Sequence, residues 1–204
     1  MKICILKETD ENEKRVALVP DVAKKLINDG FEIFIESGAG KQSDFSDEDY
    51  KKHGVQTGDA DTVIPNADII FSVKMPDIES IKKMKAEACL IGLLNPYDNH
   101  DQLKTLSENN VNAFSMELVP RSPRAQSMDV LSSQSNLAGY KAIVDSSSMF
   151  NRAMPMMMTA AGTIAPAKIF IMGVGVAGLQ AIATAKRMGA VVSATDVRRA
   201  AGEQ

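Results

Sequence analysis

The hexapeptide Gly173-Val174-Gly175-Val176-Ala177-Gly178 is the segment of this sequence best equipped for chemistry. It follows Lys168–Met172, which reads as a strand, and it opens Leu179–Gly189, which reads as a helix. Ala190–Asp196 then reads as a second strand ending in an acid. In that order the pattern is a phosphate cradle. Gly173 permits the tight turn, Gly175 lets the backbone approach a pyrophosphate, and Gly178 lets the helix pack close to the sheet. The start of the helix adds N–H groups and the positive end of its dipole. Asp196 can accept hydrogen bonds from both ribose hydroxyls of an adenosine, and its charge repels a 2′-phosphate. The pattern therefore favours NAD(H) over NADP(H), a preference that Arg198 and Arg199, close behind, weaken. A turn that needs glycines for its own sake is the plain alternative, and the ordered strand, loop, helix, strand and acid argue against it.

Glu117–Met128 (ELVPRSPRAQSM) is the second candidate. Pro120 and Pro123 stiffen it, and Arg121 and Arg124 project from it; alone, these arginines fit a solvated basic loop equally well. Asp129–Met149 follows and reads as one long helix. Leu137, Tyr140, Ile143 and Val144 give it an apolar face, while Ser132–Ser135 and Ser146–Ser148 make it unusually polar. Such a helix suits a strut between two α/β units. Other reactive residues are sparse. Cys4 and Cys89 are the only cysteines, too few for a disulfide framework or a cysteine-based zinc site, and both are expected to be buried. His53 and His100 are the only histidines, and His100 reads as a surface residue. Met154, Met156, Met157 and Met158 are expected to pack in a core or between domains, and Gly38-Ala39-Gly40 lacks the following apolar helix of a phosphate site.

The elements that must position these residues alternate. Lys2–Leu6, Phe31–Ile35, Ala67–Val73, Ala88–Leu94 and Val111–Met116 read as strands. Between them, Pro20–Gly30, a polar helix over SDEDYKKHG, Ile78–Lys85 and Asp98–Asn109 read as helices. Strands separated by helices predict an α/β fold with a parallel sheet covered on both faces. The spacing divides the chain into a Rossmann-like N-terminal domain, residues 1–128, and a linking helix with the start of a second, NAD-binding Rossmann domain, residues 129–204. The second unit offers only two strands and one helix after Lys168, so the sequence reads as a fragment of a longer protein. The net charge of −3 excludes a bulk basic field for nucleic acid. No apolar run approaches the roughly 18 residues of a membrane span, and the N-terminal apolar stretch is too short for a signal peptide. Composition thus fits a cytosolic α/β protein.

Met116–Asp145 (MELVPRSPRAQSMDVLSSQSNLAGYKAIVD) resembles the hallmark region of the NAD(H)-binding alpha subunit of proton-translocating NAD(P) transhydrogenases. Pro155–Lys168 and Gly173–Arg198 are similar to the same family, and Lys7–Pro20 resembles an opening that it shares with alanine dehydrogenases. The resemblance implies a component that holds NAD(H) between two α/β domains and presents it to NADP(H) on a partner component. Hydride then passes directly between the nicotinamides, coupled to proton movement through a membrane component. It also implies a homodimer docked to integral components on the cytoplasmic side of a bacterial inner membrane, without inserting itself. On this resemblance Arg121 would approach the carboxamide and pyrophosphate side of NAD, and Gln126 would bond the nicotinamide ribose. Asp129 would hold the carboxamide, with Ser132 supporting it. Val174, Gly175 and Val176 would line the pyrophosphate, and Asp196, Val197 and Arg198 would surround the adenosine ribose. Direct transfer needs no protein acid or base; the protein has only to hold the reacting atoms about 3–3.5 Å apart and exclude water.

Alanine dehydrogenase is the rival reading. That family uses an Arg, a Lys and a His, and Arg15 and Lys74 stand at the matching places here. The matching place for the His is Asn95, and an amide is no general base near neutral pH. Arg15 and Lys74 are then expected to be relics or to form interdomain ion pairs. A third reading is a fragment that binds part of a nucleotide or a partner subunit without turnover.

Overall fold

The structure, a computed structural model, describes residues 1–120 and 122–203. It forms two compact units, Met1–Ser122 and Pro123–Gln204.

In the first unit the elements run β1 (Lys2–Ile5), α1 (Pro20–Asn28), β2 (Glu32–Glu36), α2 (Asp47–Lys51), β3 (Gln56–Gly58) and α3 (Ala60–Val63). They continue through β4 (Ile69–Lys74), α4 (Ile78–Lys82), β5 (Cys89–Leu93), α5 (His100–Glu108) and β6 (Asn112–Ser115). The strands make one six-stranded sheet in the order β3-β2-β1-β4-β5-β6. Every pairing in it is parallel. This is the doubly wound arrangement, whose strand order reverses between β1 and β4. Alternation along β1 divides its side chains between two cores. Cys4 packs with Ile70, Ile81, Leu90 and Leu106 on one face. Ile3 and Ile5 pack with Ile33, Ile35 and Tyr50 on the other. A residue such as Leu90, fully buried, contributes roughly 1.5–3 kcal/mol by leaving water. Tyr50 is also fully buried and donates its hydroxyl to the Leu18 carbonyl at 2.8 Å, so its polar tip is satisfied.

The alternating pattern predicts five strands here, and the sheet has six. β3 escapes it because a three-residue polar edge strand carries no period of its own. α2 starts where its chemistry places it. Ser46 accepts from the Asp49 N–H, and Asp49 accepts from the Ser46 N–H in return, a reciprocal cap.

The second unit begins with a 3₁₀ turn, Pro123–Met128, and then α6 (Val130–Met149). β7 (Met157–Thr159) and β8 (Gly162–Ile164) form an antiparallel hairpin. β9 (Lys168–Met172), α7 (Val176–Arg187) and β10 (Val191–Thr195) follow, with β9 and β10 paired in parallel, and a 3₁₀ turn at Arg199–Glu203 closes the described chain. Ile143, Met154, Ala167, Ala181 and Ala185 form the core, with Ile169, Ile171 and Val192 against it.

Two expectations are corrected in this unit. Of the apolar face of α6, Ile143 is buried as expected, but Leu137 and Tyr140 are half exposed or more, and Gly139 is buried beside Ile143. The cause is close helix packing. A Cβ on Gly139 would lie 2.1 Å from the Ala177 carbonyl oxygen, so only glycine lets α6 lie this near the first turn of α7. The methionine cluster also divides. Met154 is buried, but Met156, Met157 and Met158 are exposed, the last two on the β7–β8 hairpin. Of the cysteines, Cys4 is fully buried, which pushes its thiol up to about 12, whereas Cys89 is only partly covered. Among the described residues, no helix is long and apolar enough to cross a membrane.

Candidate functional site

The glycine loop hangs between the ends of β9 and β10. Gly173 has φ +93°, the left-handed region that glycine enters without strain, and its N–H donates to the Thr195 carbonyl at 2.8 Å. A Cβ on Gly178 would come within 1.9 Å of the Gly173 carbonyl oxygen, whereas the nearest sheet atom, Ile171 Cγ2, lies 3.8 Å off. The need for glycine at 178 thus comes from the loop folding back on the helix more than from the sheet beneath. Gly175 is different: a Cβ there would meet nothing within 4 Å. It is the N-cap of α7, and no side chain caps that helix. The leading N–H groups of a twelve-residue helix therefore open onto unfilled space, which suits an anion.

Asp196 stands at the end of β10, facing the loop. One carboxylate oxygen accepts the Val174 N–H at 2.7 Å, which latches the loop to the strand end. The Arg198 N–H donates to the other oxygen at 2.8 Å. The Arg198 guanidinium adds Nε at 3.0 Å and Nη2 at 3.2 Å, and reaches the Val174 carbonyl at 3.3 Å. The guanidinium and the backbone N–H groups hold the Asp196 carboxyl well below the usual carboxylate range. A cleft of about 420 Å³ lies beside it, lined by Val174, Leu179, Ile182, Thr195, Asp196 and Arg198 among others. Val197 projects fully into solvent.

Of the hallmark segment, Arg121 lies outside the described residues. Gln126 is exposed on the Pro123–Met128 turn, whose Ala125 is buried and anchors it. Asp129 caps α6. It accepts from the Ser132 N–H at 2.9 Å and from the Ser132 hydroxyl at 2.6 Å, so Ser132 holds the carboxylate directly. Gln126, Asp129, Ser132 and the glycine loop all belong to the second unit.

In the first unit a polar cluster fills the point where strand order reverses. Glu8, just beyond β1, accepts the Val73 N–H at 2.6 Å and the Lys74 N–H at 3.1 Å at the end of β4. Burial pushes the Glu8 carboxyl up, and these two N–H groups oppose the rise. Lys74 pairs with Asp10 at 2.6 Å. Arg15 donates to buried Glu13 through Nε and Nη2, both at 2.7 Å. Both of these pairs lie within the first unit. Glu8, Asp10 and Glu13 went unread in the sequence, although acids interleaved with bases in KETDENEKR were the available signal. Asn95 has φ +42°, a conformation that Asn tolerates, and its amide donates to Asp98 at 2.7 Å. It cannot shuttle a proton.

The doubly wound sheet and the strand–loop–helix–strand unit define a Rossmann-like α/β protein. Residues 4–138 match the model for the alanine dehydrogenase/PNT N-terminal domain, and residues 142–204 match that for the alanine dehydrogenase/PNT C-terminal domain. The chain belongs to the alanine dehydrogenase/PNT family. It is 48% identical, over its full length, to an NAD(P) transhydrogenase alpha-subunit polypeptide from Rhodospirillum rubrum, 55% of which it covers. The structure of a transhydrogenase from Sinorhizobium meliloti superposes on the whole chain with a TM-score of 0.95 at 50% identity, with 61% of that chain covered. An L-alanine dehydrogenase structure superposes on 98% of this chain and 56% of its own, with a TM-score of 0.82 at 25% identity. The chain spans about half the length of the curated transhydrogenase relative.

Proposed function

We propose that this chain is a portion of the NAD(H)-binding component of a proton-translocating transhydrogenase. The observation that carries the reading is the open, uncapped start of α7 at Gly175, with Asp196 at the adjoining strand end. The 48% identity of this whole chain to 55% of a transhydrogenase alpha-subunit polypeptide supports it. NAD(H), when bound, supplies or accepts the hydride.

The chain's own residues then have limited tasks. Gly175 and Val176 offer main chain to the pyrophosphate, Val174 lines it with its N–H held by Asp196, and Asp196, Val197 and Arg198 surround the adenosine ribose. Gln126 and Asp129, the latter steadied by Ser132, orient the nicotinamide end, together with Arg121. None of these residues needs to exchange a proton in the hydride step, so their work is to hold and to exclude water. NADP(H) sits on a partner component, and a membrane-spanning component carries the coupled proton. The assembly contains two copies of this component and lies at the cytoplasmic face of a bacterial inner membrane.

Alanine dehydrogenation is disfavoured by an amide at Asn95, where a general base would be needed. The test uses protein made from the complete gene, mixed with an NADP(H)-binding partner component. Hydride transfer from NADH to an NADP analogue, without alanine-dependent reduction of NAD, is the expected result. Alanine-dependent NADH formation overturns the reading.

A further inference from the structure

Two separated parts of the second unit meet through α6. At its start stands Asp129, which Ser132 holds by N–H and hydroxyl. Further along the same helix, Gly139 is buried against the first turn of α7. At 1.5 Å of rise per residue, the arm from Asp129 to Gly139 is about 15 Å long. A Cβ on Gly139 would lie 2.1 Å from the Ala177 carbonyl oxygen, 2.9 Å from the carbonyl carbon and 3.1 Å from Ala177 Cα. All three are main-chain atoms, so no side chain can turn aside to relieve the clash. Ala177 belongs to the turn that presents the anion donors. The Leu179 N–H already bonds the Gly175 carbonyl at 2.9 Å, so the N–H groups of Val176, Ala177 and Gly178 are the ones ahead of the helical ladder. That turn is also packed on the loop, since a Cβ on Gly178 would meet the Gly173 carbonyl oxygen. One turn beyond Gly139, Ile143 shares a core with Ala181 and Ala185 of α7, which keeps the two helices from rolling.

We propose that Gly139 is a positioning residue for the dinucleotide. Its main-chain contact with Ala177 sets the separation between the pyrophosphate cradle at the start of α7 and the nicotinamide-end residues at the start of α6. Gly139 touches no ligand and acts only through the helix it rests on. A methyl group there must part the helices by about 1 Å, and a misplacement of that size between two groups that grip one ligand costs up to about 100-fold where alignment governs the rate. The cradle itself, with Asp196 and Arg198 at the adjoining strand end, moves as one piece with α7. A ligand that ends at the pyrophosphate therefore feels little of the shift, whereas a dinucleotide spans both groups and feels all of it. This inference rests on the nucleotide reading of the second unit.

The test compares ADP with NADH in protein made from the complete gene. In Gly139→Ala, ADP affinity should stay within about twofold of wild type, while NADH weakens by about tenfold or more. Hydride transfer to an NADP analogue on the partner component should slow by about tenfold or more at saturating NADH. Ile143→Val trims the same core without pushing the helices apart, so it should lower the unfolding midpoint and leave the ratio of ADP to NADH affinity unchanged. Equal weakening of ADP and NADH in Gly139→Ala overturns the proposal, because it reports a cradle lost as a whole. An altered ratio in Ile143→Val overturns it too. If Gly139→Ala fails to fold, amide hydrogen exchange of the wild type decides. ADP should slow exchange in the first two turns of α6, although it ends at the pyrophosphate; unchanged exchange there overturns the proposal. Wild-type protein that binds neither ADP nor NADH overturns the nucleotide reading itself. Wild type that binds both, with a ratio indifferent to Gly139→Ala, sinks only the positioning role.

Discussion

After β1 the chain travels through Leu6–Val19 before it enters α1; after β9 it needs only Gly173–Gly175 before it enters α7. Both connections lead through a helix to a parallel neighbour, β2 in one case and β10 in the other. The long connection brings acids and bases that satisfy one another. Glu8 closes onto the backbone of β4, Asp10 takes Lys74, and Glu13 takes Arg15. Its helix starts at Pro20, which has no N–H to offer. The short connection brings glycines and leaves open space beyond Gly175; no side chain caps either helix, α1 or α7. Identical β–α–β topology therefore does not make equivalent sites. A phosphate needs reachable backbone donors, and the glycines of the second connection leave the space to approach them.

The sharpest way to break this comparison is Gly178→Ala. Its Cβ would strike the Gly173 carbonyl, so the loop must shift. NADH binding should fall by about 100-fold or more, and stability by about 1–3 kcal/mol, as fluorescence titration and denaturant unfolding would report. Next in size is Gln126→Ala, which should slow hydride transfer by about tenfold or more while NADH binding changes little, because it perturbs orientation and leaves the anion site intact. Stopped-flow transfer with the partner component reads that split. Gly175→Ala should weaken NADH by about tenfold yet leave unfolding unchanged or slightly harder, since its Cβ meets open space at an ordinary φ. If Gly175→Ala destabilises the protein as Gly178→Ala does, the distinction between a glycine for the fold and a glycine for the ligand is lost.

In the sealed connection the expected effects are small. Lys74→Ala should barely move the unfolding midpoint, because the pair is half exposed and solvent screens it, and should leave NADH binding and hydride transfer unchanged. Loss of transfer would show that this cluster belongs to the active machinery. Smallest is the pH signature of Glu8. Its carboxyl is raised in the folded state, so the fold holds that proton more tightly than the unfolded chain does. Its contribution is present below the ordinary glutamate range and is lost as pH rises through the folded value. The depressed Asp10 and Glu13 act in the opposite sense, losing their contribution as pH falls. Glu8→Gln should therefore remove a stability loss on the alkaline side of the glutamate range, visible as the difference between two unfolding curves taken across pH.

The sequence by itself determined the parts whose causes are local. Apolar runs between helical stretches specified a parallel sheet, and Gly173 announced its left-handed turn. Ser46 and Asp49 carried their cap within one helical turn, and Asp129 with Ser132 did the same at α6. Short elements without a period, β3 and the β7–β8 hairpin, stayed illegible because they exist only against neighbours distant in sequence or across a turn with no distinctive residues. The tertiary structure alone decided which partner each charge received. Arg15 and Lys74 gave no sign of being neutralised until the loop after β1 folded across the end of β4. Asp196 gave no sign that its lone pairs were already spoken for by Val174 and Arg198. Gly139 looked like a helix weakness until α7 lay against it. Pairing and close approach depend on distances between segments, and those distances are set by packing rather than by the order of residues along the chain.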